Sequence, residues 1–139
     1  MNAEFSVAVH AMVYLAAHCQ ASFNSSELAS NICTNPARVR KVMSKLCKAS
    51  LVVSTKGQGS GYASIAEARR TDLAVIAKAI DEVPVEDIWQ SGDLDRDCLV
   101  CSGMGSVMDD ICHGMNLVAF DYLKKVTIGS ICDRLLQKR

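Results

Sequence analysis

Long hydrophobic runs are scarce in this chain. The most apolar stretch, Met1 to Cys19, is punctuated by Glu4, His10 and His18. It falls short of a membrane-spanning helix and lacks the basic n-region and cleavage pattern of a secretory signal, so a cytoplasmic location with no membrane partner is expected. Nucleotide-binding fingerprints are missing too. The Gly-rich segment Thr55 to Tyr62 reads TKGQGSGY, with its glycines spaced G-x-G-x-G. A dinucleotide loop needs G-x-G-x-x-G ahead of a helix, and a P-loop needs G-x-x-x-x-G-K-[ST]. No cysteine and histidine here have the order or local signature of a known nucleophilic site, so no enzyme is expected. What remains is a chain of 139 residues, 50% of them apolar, enough for one compact domain with an appended helix or two.

Net charge is also lacking: 15 Lys and Arg balance 15 Asp and Glu. The balance hides a segregation. From Thr34 to Gln58 there are six cations (Arg38, Arg40, Lys41, Lys45, Lys48, Lys56) and no acid. From Asp81 to Asp110 there are nine acids against Arg96 alone. Attraction to phosphates is screened over about 8 Å at physiological salt, so the local cation density governs contact with a polyanion.

The basic segment has a readable setting. Phe5, Val9, Met12, Val13 and Ala16 recur at helical spacing with no Gly or Pro between them, which predicts a helix over residues 4–18. Asn24, Ser25 and Ser26 with Glu27 supply N-cap candidates for a short helix carrying Leu28, Ala29 and Ile32. Asn35 caps another, because Pro36 fits the first helical position, where its missing amide hydrogen has no partner anyway. In PARVRKVMSKLCKAS, Val39, Val42, Met43 and Leu46 form one stripe. Ala37, Lys41, Ser44, Lys45 and Lys48 lie opposite, with Arg38 and Arg40 on the flanks.

Two helices joined through Cys33-Thr34-Asn35, the second amphipathic and basic, make a helix-turn-helix pattern whose second helix enters the major groove. Leu51 to Thr55 reads as a strand and Tyr62 to Ile65 as its partner, so the Gly-rich loop becomes the tip of a β-hairpin wing. Glycines there permit positive φ and close backbone approach to phosphate, while Lys56 and Gln58 can reach phosphate or the minor groove.

With these elements in place the chain resembles the Rrf-two family of winged-helix regulators, whose members include IscR, NsrR and CymR. The resemblance rests on the helix-turn-helix, the K-G-Q-G-S-G-Y wing, a T-D-L-A-V-I-A-K-A-I-D helix, a cysteine-bearing loop and a closing V-T-I-G-S-I. It implies a mainly α fold with a small β-hairpin, a homodimer, and a double-stranded DNA partner with a pseudo-palindromic operator. Base-reading positions carried over from the family fall on Asn35, Ala37, Arg40 and Lys41, and the basic wing position on Lys56. Arg38 or Arg40 suits a guanine edge, and Lys45 and Lys48 suit phosphate. The expected organisation is a winged helix-turn-helix domain at 1–80, an acidic cysteine-containing loop at 81–105, and a dimerisation helix with a closing helix at 106–139. Val107, Ile111, Met115, Val118 and Tyr122 form the stripe expected to pair two chains, with Gly114 weakening the case for an unbroken helix, and Ile128, Ile131, Leu135 and Leu136 make a last short helix expected to pack either back on the first domain or on the partner.

Seven cysteines remain. Without an export signal they read as free thiols, metal ligands or redox sensors. Cys98 and Cys101 form a CxxC in the acidic loop, and with Cys112 and His113 they offer four ligands to zinc or an iron–sulfur cluster. Cluster-binding family members space three cysteines by five residues, and this chain departs from that pattern. Thiol sensing is a second reading, and cysteines without any chemistry of their own are the third. Acidic surroundings oppose a lowered pKa at Cys98 and Cys101, whereas Cys33 beside a helix start and Cys47 among lysines sit in better electrostatic settings. Cys19 and Cys132 read as core residues, and His10 and His18 as structural histidines. Three functions stay open: a DNA-binding repressor responsive through thiols, a cluster- or zinc-dependent regulator of the same fold, and a winged helix that binds protein and not DNA.

Overall fold

The computed structural model describes residues 1–57 and 60–137. Helix α1 (Ala3–Ala17) begins where the Asn2 side chain accepts the Phe5 amide at 3.2 Å. Helix α2 (Ser25–Ile32) opens with a reciprocal capping box: Asn24 accepts from the Glu27 amide at 2.9 Å, and Glu27 accepts from the Asn24 amide at 3.0 Å. Helix α3 (Pro36–Lys48) has Asn35 as its cap, bonded to the Arg38 amide at 2.8 Å, with Pro36 inside the first turn as expected. Between α2 and α3, Cys33 takes a left-handed conformation at φ 64, which reverses the chain in a single step.

Strands β1 (Val52–Thr55) and β2 (Gly61–Ser64) pair antiparallel, with Val53 opposite Ala63 and Ser54 opposite Tyr62. A 3-10 turn (Ala68–Arg70) and helix α4 (Leu73–Ala79), capped by Asp72, follow. Helix α5 (Leu99–Leu123) is 25 residues long, and α6 (Ile128–Leu136) closes the described chain from a capping box of Thr127 and Ser130. The fold class is as expected: mainly helical, with a single hairpin among the described residues.

Helix α1 is the hub. Sequence periodicity predicts one buried stripe, yet Val7, Ala8, Ala11 and Leu15 are buried alongside Phe5, Met12, Val13 and Ala16. The helix is enclosed by α2, α3, α4, α6 and β2, and a helix packed on several sides shows little amphipathicity. Met12, Leu15, Leu28, Val39, Val42, Met43, Leu46, Ile76 and Ile128 are fully buried. Each contributes about 1.5–3 kcal/mol by leaving water.

One finding changes the expected organisation. Helix α5 starts at Leu99, so Cys98 and Cys101 lie at its N-terminal end and not within a loop reaching to residue 105. The helix runs through Gly103, Gly105 and Gly114 because its other residues supply enough helical bonding to carry them, at a cost of about 0.5–1 kcal/mol each. Helix α6 packs back on the first domain, against α1 and the 3-10 turn. It is fastened by the Leu73 amide on Val126 O at 2.9 Å and the Ile128 amide on Thr71 O at 2.9 Å. Arg69 adds a 2.6 Å ion pair with Asp133. Among the described residues no helix is long and apolar enough to cross a membrane.

Candidate nucleic-acid interface

The outer face of α3 is set by what lies under it. Val39, Val42, Met43 and Leu46 are buried, which leaves Ala37, Arg38, Arg40, Lys41, Ser44 and Lys48 exposed on the opposite side. Arg38, Arg40, Lys48 and the wing residue Lys56 are exposed and make no ion pair among the described residues. None of these cations forms an ion pair with the acidic stretch 81–110 among the described residues.

Two lysines sit differently from the sequence expectation. Lys41 Nζ is 2.7 Å from Glu4 Oε1, and Lys45 Nζ is 3.6 Å from Glu4 Oε2. Lys45 also donates to Ile80 O at 3.3 Å, the carbonyl that ends α4. Lys45 is therefore turned inward as a tether between α3, α1 and α4, where a phosphate contact is expected from the sequence. Lys41 remains largely exposed beside its acid. Glu4 itself gives no sequence signal as a functional residue, since its partners lie in a different helix. The Lys41 hydrogen bond and the nearby Lys45 charge hold its carboxyl below the usual carboxylate range, against the opposing effect of burial. Asn35 spends its carboxamide oxygen on the α3 cap, leaving only its amide nitrogen to donate outward.

The wing is anchored at its base. Tyr62 and Phe23 exchange backbone hydrogen bonds of 2.8 and 2.9 Å, which ties β2 to the segment ahead of α2. Gly61 makes this possible, because a Cβ there would lie 2.5 Å from Phe23 O. Thr55 Oγ1 accepts the Gly61 amide at 2.8 Å and donates to Gly61 O at 3.1 Å, clamping the strand ends. Gly57 has φ +99, the positive-φ position expected at the tip. Gln58, the other expected wing contact, lies outside the described residues.

Along α5, Val107, Ile111, Met115, Val118 and Tyr122 are 48, 47, 41, 72 and 65% exposed at successive helical steps. Buried residues of this helix are Cys112 and Leu123. The acidic segment before it is held by Asn116, whose side chain accepts the Val85 amide at 2.8 Å and donates to Val85 O at 3.0 Å. Gln90 bonds Asp109 on the same side.

The cysteines divide by position. Cys98 is exposed at the N-cap of α5 and Cys101 is half-buried in its first turn. Cys112 lies eleven residues beyond Cys101, about 16 Å along a continuous helix, so Cys112 and His113 do not converge with the CxxC. No three Cys, His, Asp or Glu side chains gather as a metal site among the described residues. The four-ligand set suggested by sequence proximity therefore does not fit zinc or a cluster within one chain. For Cys98 and Cys47 the directions are opposite to those inferred from neighbouring charges. Amides of Cys101 and Val100 hold the Cys98 thiol below its ordinary value, although the side chain makes no cap hydrogen bond of regular geometry. Burial pushes Cys47 up. Cys33 is exposed, with its sulfur near Ser30 O and Asn31 O. Cys132 is buried as expected; Cys19 is exposed, because it lies beyond the end of α1 and not in the core. His10 meets Asn31 at 3.1 Å and His18 meets the Tyr14 carbonyl at 2.9 Å, both structural roles.

Solved structures share this arrangement. A candidate transcriptional regulator from Lactobacillus plantarum superposes with a TM-score of 0.83 at 23% identity, over 97% of this chain and 91% of its own. T. potens IscR gives 0.71 at 17% identity, over 97% and 87%. CymR, the global cysteine regulator of B. subtilis, gives 0.65 at 16% identity, over 96% of each chain. These likenesses establish the fold. No curated protein sequence matches the chain significantly. The family model described as Rrf2, iron-dependent transcriptional regulator, matches residues 1–134, and the chain belongs to the Rrf2 family of transcriptional regulators.

Proposed function

We propose that this Rrf2 protein is a homodimeric repressor that binds a pseudo-palindromic operator through α3 and the wing and answers a redox signal through its thiols. One observation carries the DNA-binding part: Arg38, Arg40, Lys48 and Lys56 are exposed, free of ion pairs among the described residues, and supplied by the two elements that a winged helix brings to a groove and its flanking phosphates. Arg40 and Arg38 read base edges and Lys48 and Lys56 contact phosphate. Ala37 lies at the start of α3 with too small a side chain to obstruct close approach. Lys41 joins them by exchanging Glu4 for the nucleic acid.

The partner for the α5 stripe is a second copy of the chain. An apolar stripe of this length is unusual on an isolated surface, and pairing it across a two-fold axis gives each half-site of a palindrome its own α3. The family description names iron, but the donor set in one chain does not fit a cluster, so the reading takes thiol chemistry as the signal.

The test is selection of bound sequences from a random duplex pool, followed by titration of the selected operator at several salt concentrations. Sequence-selective, salt-dependent binding lost in Arg40→Ala supports the assignment. Retention of an acidic protein partner with no duplex binding would move the wing and α3 to a protein-interaction role. Stoichiometric iron or zinc in anaerobically purified protein would overturn the thiol part.

A further inference from the structure

Cys98 and Cys101 occupy a place that neither the DNA-facing surface nor the α5 stripe uses. Cys98 caps a 25-residue helix in an extended conformation (φ -69, ψ 119) and is exposed; Cys101 follows three residues on and is half-buried. With a rise of 1.5 Å per residue and a radius near 2.3 Å, that step sets Cα atoms about 5 Å apart. This lies within the span a disulfide bridges.

The two residues are held unequally at the backbone. Cys101 O accepts the Asp93 amide at 3.0 Å. Gly92, at φ +91, comes so close behind it that a Cβ would lie 2.1 Å from the same oxygen. The backbone of the second cysteine is thus held against the returning loop, while the first cysteine is exposed. Cys98 is also the thiol whose surroundings favour the thiolate, through the Cys101 and Val100 amides. Cys112 cannot intervene, being buried three turns further along.

We propose that Cys98 and Cys101 are a redox-active dithiol that closes to an intramolecular disulfide on reaction with a hydroperoxide. This names the reacting pair behind the redox response, and its regulatory meaning rests on that reading. The Cys98 thiolate attacks one peroxide oxygen; the O–O bond breaks, an alcohol (water, from hydrogen peroxide) leaves after taking a proton, and Cys98 becomes a sulfenic acid. Cys101 sulfur then attacks Cys98 sulfur. The S–S bond forms, the S–O bond breaks, and hydroxide leaves as water with the Cys101 proton. Two thiols together give two electrons to one peroxide, and an external dithiol reverses the change.

The experiment treats the full chain with hydrogen peroxide and reads intact mass and cysteine alkylation by peptide. The parent is expected to become lighter by two hydrogens, to protect Cys98 and Cys101 from alkylation, and to recover both with dithiothreitol. Cys101→Ser is expected to stop at a Cys98 sulfenic acid trapped by dimedone, and Cys98→Ser to form neither product. Both thiols remaining alkylatable after peroxide, or protection mapping to Cys19 or Cys33, overturns the proposal. Operator titration on the same samples separates it from the reading beneath. A disulfide formed with no change in DNA affinity removes redox regulation and leaves the dithiol. A peroxide-dependent loss of affinity that persists in Cys98→Ser keeps redox regulation and removes this pair as its source.

Discussion

One carboxylate of α1 holds two cations of α3: Glu4 lies 2.7 Å from Lys41 and 3.6 Å from Lys45. A duplex approaching α3 must compete with Glu4 for Lys41. Glu4→Gln is expected to tighten operator binding by about two- to fivefold at low salt, the range of an exposed ion pair, with the gain shrinking at high salt. Fluorescence anisotropy measures it. The pH dependence has a definite sign. The folded-state carboxyl is depressed, so the stabilisation it brings is present above the ordinary carboxylate range and fades as pH falls through the depressed value. The parent should lose that contribution to unfolding free energy in acid, and Glu4→Gln should show a flatter acid limb.

Arg40 and Lys48 share the exposed face of α3 but differ in expected role. Arg40→Ala should cost about 1–3 kcal/mol against the selected operator and little against random duplex. Lys48→Ala should weaken both equally and lower the magnitude of the log–log salt slope by about 0.9. Titrations of both variants on both duplexes over a salt series distinguish the two.

Gly61 is fixed by space, since its Cα hydrogen faces the Phe23 carbonyl where a methyl would sit at 2.5 Å. Gly61→Ala must push β2 from the segment ahead of α2, a displacement expected to cost about 1–3 kcal/mol. Urea unfolding should show a lower midpoint, and operator affinity should fall with the displaced wing.

Asn116 carries both backbone hydrogen bonds of Val85. Asn116→Ala leaves those groups without their partner, at a cost of about 1–3 kcal/mol. Hydrogen exchange at the Val85 amide should accelerate while amides in the core of α1 change far less.

Val118 is the most exposed member of the α5 stripe, at 72%. Val118→Glu places a charge on the surface assigned to the second chain and should shift sedimentation from dimer toward monomer. Far-UV circular dichroism should keep its helical shape, because the side chain is not part of the monomer core.

Two helix starts were legible because the cap was local. Asn24 and Asn35 bond amides three residues on, so a few consecutive letters contain the whole signal. The start of α5 was not. Cys98 makes no regular cap bond and two glycines follow within the first turns, so the sequence reads as loop where the chain is already helical. The same displacement misplaced the cysteine pair and suggested a ligand set that a straight helix keeps apart.

The order of letters by itself determined the helix-turn-helix, the hairpin, the cationic outer face of α3 and the apolar stripe of α5, because each follows from periodicity and neighbours within a few residues. Tertiary structure alone decided that Glu4 meets Lys41, that Lys45 turns inward to Ile80, that Gly61 must yield to Phe23, and that burial raises the Cys47 thiol. Those outcomes depend on distances between segments far apart in the chain and on which groups lose water, quantities set only when the core closes around α1.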